Sequence, residues 1–381
     1  MQTPRSAASS ATNRPPSHRI NLGLQGGGSH GAFTWGVLDV LLQDPGIDLE
    51  GISGTSAGAM NAVALAHGFA QCIGKSQSDP REAARESLAN FWNGIVNMGA
   101  IGQAQRAPFD MLLGLAGGHH SVTSQWASAM TRAFSGSMSP YQMNPLDLNP
   151  LKTFVERQVD FERLTRLKDI KVFVVATRVT TGKAEVFSGK RLTADAVMAS
   201  ACLPMMFQAV EIEGDHYWDG GYSGNPAIHP LIYKCESRDI LLVQINPIKR
   251  DVLPTNAIDI MDRLNEITFN SALIGEMRAI DFVKRLLLEG KLDPAHYKDV
   301  LMHRIDGGEI LEQMGATTKV STEANLIRSL HELGQTHARR WLSEHRKDLG
   351  VCSTLNIARD YLDDLRVPVR RDRNSAPNEP A

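Results

Sequence analysis

The 381-residue chain is long enough for one large α/β domain with additions or for two smaller domains, and at 42% hydrophobic and 22% charged it has an ordinary globular composition. A formal net charge of −2 gives no electrostatic case for nucleic acid and leaves contact with a membrane surface open. The four cysteines, Cys72, Cys202, Cys235 and Cys352, form no C-x-x-C pair and read as free thiols in a reducing compartment.

The first 19 residues are rich in Ser, Ala and Pro, contain Arg5, Arg14 and Arg19, and have no acid. They lack the apolar core of a secretory signal, and Pro4, Pro15 and Pro16 would interrupt the amphipathic helix of a transit peptide. A disordered tail is expected over 1–18. No apolar run reaches the roughly 18 residues of a membrane span, so a cytoplasmic or peripheral membrane location is expected.

Residues 19–25 read as a buried strand and 29–43 as a helix ending near Pro45. A second strand follows at 48–53 and a second helix at 57–72. Residues 81–97 are helical by periodicity, with Leu88, Phe91, Trp92 and Ile95 on one face and Asp79-Pro80 as its start signal. Residues 99–121 read as irregular and apolar, and 108–118 as a candidate lid or acyl-entry rim, with buried packing the alternative. Helices are expected near 122–135 and 150–158. The clearest strand is 170–179, rich in β-branched residues. A short helix at 193–201 stops at Pro204, and strand-like pieces follow at 208–213, 216–218 and 240–245. A long helix over about 256–290, a last strand at 299–305 and a charged amphipathic helix at 321–348 complete the pattern, before a polar tail from Arg366. The alternation predicts a three-layer α/β/α fold around a mostly parallel sheet, plus a C-terminal helical extension. Sites in such sheets form beyond the C-terminal ends of the strands.

Three turns carry chemistry. Gly54-Thr55-Ser56-Ala57-Gly58 stands between a strand and a helix, the setting of a nucleophile elbow. Glycine is needed at positions 54 and 58 because side chains there would collide with adjacent backbone. The bland alternative is a helix start capped by Thr55 or Ser56. Gly26-Gly27-Gly28-Ser29-His30-Gly31 fits G-x-G-x-x-G, the dinucleotide fingerprint, with Asp48 and Glu50 about 20 residues on. Those acids, however, fall at the start of the second strand, whereas a ribose-binding acid belongs at its end. The same turn can present backbone N–H groups, mainly those of Gly27 and Gly28, to an oxyanion. A right-handed crossover would make the two strands parallel and bring these donors to the serine. Asp219-Gly220-Gly221 alone reads as a hairpin turn.

Taken together, these three turns resemble the patatin-like phospholipases, in the order the family shows them. Ala199-Ser200-Ala201-Cys202-Leu203-Pro204, shortly before the aspartate, is also similar. The resemblance covers roughly 19–235. It implies a hydrolase domain over 19–245; beyond it the pattern predicts a mainly helical part at 246–365 packed on the same domain and a disordered tail at 366–381. It further implies a catalytic dyad of Ser56 and Asp219, and an oxyanion hole from the amides of Gly26, Gly27, Gly28 and Ser29. Gly31, Gly54, Gly58, Gly220 and Gly221 would be the motif glycines, and the substrate a lipid or other acyl ester. No metal or cofactor is implied. The chain departs from the family in having His30 where an arginine is common and Gln25 where an acid is common. His30 could still donate a hydrogen bond to an oxyanion, but without a permanent charge.

In that dyad Asp219 would take the serine proton, and partial burial would make its carboxylate a better base. His229 or His303 fits the Ser–acid–His chain order of an α/β-hydrolase triad. Only one strand precedes the elbow, where that fold has several, so the dyad is preferred. His119 and His120 read as surface loop. Two other functions compete: a dinucleotide-binding oxidoreductase using the first turn, and a non-catalytic lipid-binding protein, against which the intact Ser56 and Asp219 argue.

Overall fold

The computed structural model describes residues 17–75, 78–114, 139–319 and 321–363. Eight strands form one sheet: β1 (His18–Leu24), β2 (Ile47–Thr55), β3 (Lys171–Arg178), β4 (Ala184–Ser188), β5 (Val210–Ile212), β6 (Asp215–Asp219), β7 (Asp239–Gln244) and β8 (Leu301–Asp306). Their order is β5-β6-β3-β2-β1-β7-β8, with β4 also paired to β3. The β3-β2-β1-β7-β8 block is parallel, and β4, β5 and β6 form an antiparallel edge.

Both faces of the parallel block are covered, so its strands are apolar throughout rather than alternating. On β7, Leu241 and Val243 join a core with helices α1 (Gly31–Gln43), α2 (Ala57–Gln71) and α3 (Pro80–Gly114). Their neighbours Ile240 and Leu242 point the other way, to a second core with Leu273, Met277 and Ile280. The short helix α4 (Ala194–Ser200) ends just before Pro204. Leu273, Met277 and Ile280 belong to α5 (Ala257–Leu288), one unbroken helix of 32 residues started by Asn256, whose side chain accepts from Asp259 N–H. The amphipathic helix α6 (Ala324–His345) packs on α1.

Three expectations need correction. Residues 99–114 are not irregular: α3 runs through them, and its start signal at Asp79-Pro80 serves 35 residues. Only the first half of α3 has a clear apolar stripe, so periodicity alone ends it too early. The strand β4 was not foreseen, being five residues long between Gly182 and Gly189. The strand at 216–218 extends to Asp215–Asp219 and runs antiparallel. The helix expected at 122–135, His119, His120 and the rest of the 108–118 segment beyond Gly114 lie outside the described residues, as do the tails at 1–16 and 364–381. Among the described residues, no helix is long and apolar enough to cross a membrane.

The crossing of α1 and α6 requires two glycines. A Cβ on Gly36 would stand 2.0 Å from His331 O, and one on Gly334 would stand 2.1 Å from Phe33 O. Gly334→Val should therefore lower the unfolding free energy by about 3 kcal/mol through overpacking. Gly275, exposed on α5 with nothing within 4 Å of a built Cβ, is the contrast. Gly275→Ala should raise stability by up to about 1 kcal/mol through helix propensity alone. Chemical denaturation of both variants beside the parent checks the pair.

Candidate active site

Leu24 of β1 is paired with Gly54 of β2 in parallel register, so the turns after these strands leave the sheet side by side. They touch. A Cβ on Gly26 would lie 2.7 Å from Ser56 Cβ, and one on Gly58 would lie 2.1 Å from Leu24 O. Ser56 has φ +53° and ψ −120°, a conformation that L-residues rarely adopt. Helix α2 begins at the next residue, where Met60 N–H donates to Ser56 O at 3.1 Å. The first amides of α2 therefore have no carbonyl within the helix and point outward beside the serine. Ser56 N–H donates to the buried Ser200 Oγ at 2.9 Å, which fixes the strained turn from the end of α4.

The antiparallel strand β6 brings Asp219 to Ser56. It runs back along β3 until Asp219 pairs with Ala176, one residue past the Val175 that pairs with Thr55. Asp219 is 1% exposed. Gly221 N–H donates to its Oδ1 at 2.7 Å, and Asp219 N–H donates to Cys202 O at 2.7 Å. Burial pushes the carboxyl up to about 7 from its ordinary 3.8; the Gly221 amide and, more weakly, the Ser56 hydroxyl pull it down. Oδ2 makes no hydrogen bond of good geometry among the described residues. The Ser56 hydroxyl is thus close enough to act on the carboxyl, yet not aligned on it. Catalytic hydrogen bonds often tighten only around substrate.

The glycine turn divides into a held part and an open part. Gly26 N–H donates to Asn225 Oδ1 at 2.6 Å, so this amide is not available to an oxyanion, contrary to expectation. Among the described residues, no hydrogen bond occupies the amides of Gly27, Gly28 or Ser29. These three residues, Ser56 and Asp219 line one cavity of about 560 Å³, whose remaining wall is largely apolar and includes Met60, Phe91, Trp92, Leu203, Met206 and Phe269. A neighbouring cavity of about 430 Å³, around Cys202 and His216, contains neither Ser56 nor Asp219.

Residues 22–232, more than half the chain, match the patatin-like phospholipases. The chain belongs to this family. That membership places it among lipid hydrolases. No curated protein matches the chain. Among solved structures, the chain is similar to VipD from Legionella pneumophila, with a TM-score of 0.41 and 16% identity over 87% of this chain and 68% of that one.

Around the patatin-like motifs, sequence reasoning missed Asn225, Asn246 and Asn270, which gather on Gln25. Gln25 is fully buried, donating through Nε2 to Asn225 O at 3.1 Å and Asn270 Oδ1 at 3.2 Å, while Oε1 accepts from Ile245 N–H and Asn246 N–H. A carboxylate at this position could accept but not donate. His30 does not face the cavity. Its Nε2 is 2.7 Å from Thr318 Oγ1, and burial, with Lys319 and Arg250 nearby, lowers its pKa to about 3, so the ring is neutral. The other weighed histidines are engaged elsewhere, His303 with Asp239 at 2.9 Å and His229 with Glu276 at 3.4 Å. Asp48 and Glu50 sit at the start of β2, away from the glycine turn, bound to Arg81 and to the amides of Glu236 and Ser237 respectively. Among the described residues, no cluster of His, Cys, Asp and Glu could hold a metal ion.

The raised pKa of Asp219 has a stability consequence of definite sign. Between pH 3.8 and about 7 the unfolded chain ionises this carboxyl while the folded chain keeps it protonated, so its ionisation costs stability as pH rises through that window. Asp219→Asn removes the cost and can still accept from Gly221 N–H. The variant should be more stable than the parent at pH 8 by up to about 4 kcal/mol, with the difference closing towards pH 4. Denaturant titrations at the two pH values check this.

Proposed function

We propose that the chain is a serine acyl-ester hydrolase that releases fatty acid from lipid esters with Ser56 as nucleophile and Asp219 as base. The reading rests on one juxtaposition: a serine on a strained turn, a buried carboxyl of raised pKa and unoccupied glycine-turn amides open onto the same apolar cavity. The cavity wall suits an acyl chain. Ser56 Oγ attacks the ester carbonyl carbon while its proton passes to Asp219. The carbonyl oxygen becomes an oxyanion, and Gly27, Gly28 and Ser29 N–H are the donors placed to receive it. The carbon–oxygen bond to the alcohol then breaks, and the alcohol leaves with the proton from Asp219. Water adds to the acyl-enzyme, giving one proton to Asp219. The fatty acid departs, and that proton returns to Ser56.

Two observations weigh against the dinucleotide-binding reading. Asp48 and Glu50 lie at the wrong end of β2 for a ribose, and Lys319 O fills the space above Gly28 that a pyrophosphate would need. No histidine among the described residues lines the cavity, which favours a dyad. Half-exposed Ile260, Leu264 and Ile267 follow one another at helical spacing on α5, and Val252 and Leu253 are exposed in the segment that precedes it. They offer apolar surface for transient contact with a lipid layer, beside the Phe269 turn that lines the cavity.

A fluorophosphonate probe should label the parent protein and leave Ser56→Ala unlabelled. Asp219→Asn should lower kcat on a short-chain p-nitrophenyl ester about a thousandfold. For the parent, the acid limb of kcat/KM should rise with pH through about 7, because only the carboxylate form of Asp219 can take the proton. Full activity in Asp219→Asn would defeat the dyad, and labelling that survives in Ser56→Ala would defeat the nucleophile.

A further inference from the structure

The glycine turn has no charge of its own, since His30 is buried and neutral. A charge reaches it from a segment nearly 300 positions away. The short helix Ala316–Lys319 lies on the turn: Thr318 Oγ1 meets His30 Nε2, and Lys319 O would stand 2.1 Å from a Cβ on Gly28. Gly28 has φ +58°, and no other residue would fit beneath that carbonyl without displacing it. The Lys319 ammonium donates to Asn246 Oδ1 at 3.0 Å, and Asn246 Nδ2 donates to Gly26 O at 2.6 Å. Asn246 Oδ1 itself would lie 3.6 Å from a Cβ on Gly27. Lys319 thus wraps the turn with its backbone on Gly28 and its amine on Asn246, the residue that holds Gly26 O and borders Gly27. Among the described residues lining the cavity that holds Ser56 and Asp219, it is the only lysine or arginine.

We propose that Lys319 is the cationic component of the oxyanion site, supplying from the C-terminal part of the chain the charge that the glycine turn lacks. The role rests on the serine-hydrolase reading above. Negative charge appears on the substrate carbonyl oxygen only after Ser56 attacks, so a cation beside the receiving amides acts on the transition state more than on the bound ester. The site is partly desolvated, which strengthens the attraction. Burial holds the Lys319 pKa below the ordinary lysine value; Glu266 and Asp262 of α5 oppose that shift and Arg250 adds to it. His30, facing Lys319 from the turn, stays neutral. Loss of the ammonium proton should therefore limit the rate on the alkaline side, at a pH lower than a solvated lysine would give. The other perturbed groups nearby, Cys202 and Tyr222, are pushed up to about 12 and titrate above that limb.

The experiment uses a neutral short-chain p-nitrophenyl ester, which has no phosphate or carboxylate for a lysine to bind. Lys319→Met keeps the alkyl stem and removes the charge. It should lower kcat at least about tenfold, leave KM within about threefold, slow fluorophosphonate labelling of Ser56 in parallel and abolish the alkaline limb. Lys319→Arg should restore most of kcat. Unchanged kcat and labelling rate in Lys319→Met would overturn the proposal. So would a loss seen only as a raised KM for an anionic phospholipid in vesicles, which would make Lys319 a head-group contact. If Lys319→Met melts far below the parent, Lys319→Gln and Lys319→Arg decide: equal loss in both means packing, and loss in Lys319→Gln alone means charge. Failure of the serine reading would show separately, as labelling that survives in Ser56→Ala.

Discussion

Two main chains approach each other at Gly26 and Ser56 more closely than any side chain would permit, and the rest of the site is arranged around that contact. The approach follows from parallel pairing of β1 and β2 with level C-terminal ends. Each strand must then turn at once into a helix, in a space where a Cβ on Gly26 would meet Ser56 Cβ at 2.7 Å and one on Gly31 would meet Ala57 Cβ at 2.7 Å. With the glycines in place, the unoccupied amides of one turn and the hydroxyl of the other share a corner of the sheet. The positive ends of two helices converge there.

That corner holds a second constraint, a carboxyl with almost no access to water. An ionised carboxylate in such a place is costly, so the carboxyl keeps its proton up to about pH 7, and neighbours rather than a counter-ion hold Asp219 in place. Thr177 Oγ1 donates to Asp219 O at 2.8 Å, Gly221 N–H to Oδ1, and Asp219 N–H to Cys202 O. The same burial that destabilises the anion raises its basicity. Stability is given up at this buried carboxyl, where local consistency fails.

How much of this the sequence discloses depends on the kind of force involved. Steric demands are legible where a strand, a glycine pair and a helix start follow one another at 47–58, whereas Asp219-Gly220-Gly221 reads alone as a hairpin turn and folds as a short 3-10 turn after β6. The parallel pairing of β1 and β2 follows from crossover handedness and apolar runs, while the place of β3 beside β2 does not. Hydrogen-bond hubs are not legible. Gln25, Asn225, Asn246 and Asn270 come from four segments and meet only in three dimensions, while each alone reads as an ordinary loop or helix amide. Gly26 shows the effect, since its place in the motif gives no sign that Asn225 already occupies its amide. The second half of α3 failed for another reason. Residues 99–114 mix glycine, alanine and proline without a stripe, and nothing local states that the helix persists.

The family match ends at residue 232, and the cavity does not. Its far wall is built from α5 and the segment that reaches Lys319 and Thr322. Glu266, 4% exposed at its side chain, is held by Arg250 at 2.5 Å and by Arg263 at 3.2 Å. Removing either arginine would leave that buried carboxylate undercompensated, so the wall is fixed to the loop after β7 by charge rather than by apolar packing alone. The loop after β7 also carries Asn246, whose side chain holds Gly26 O and Lys319 together. A change of residue in this wall can alter what the cavity accepts without moving the turns that hold Ser56 and Asp219. The motif-bearing part of the chain sets the corner that holds Ser56 and Asp219, and the part beyond it shapes the cavity around that corner.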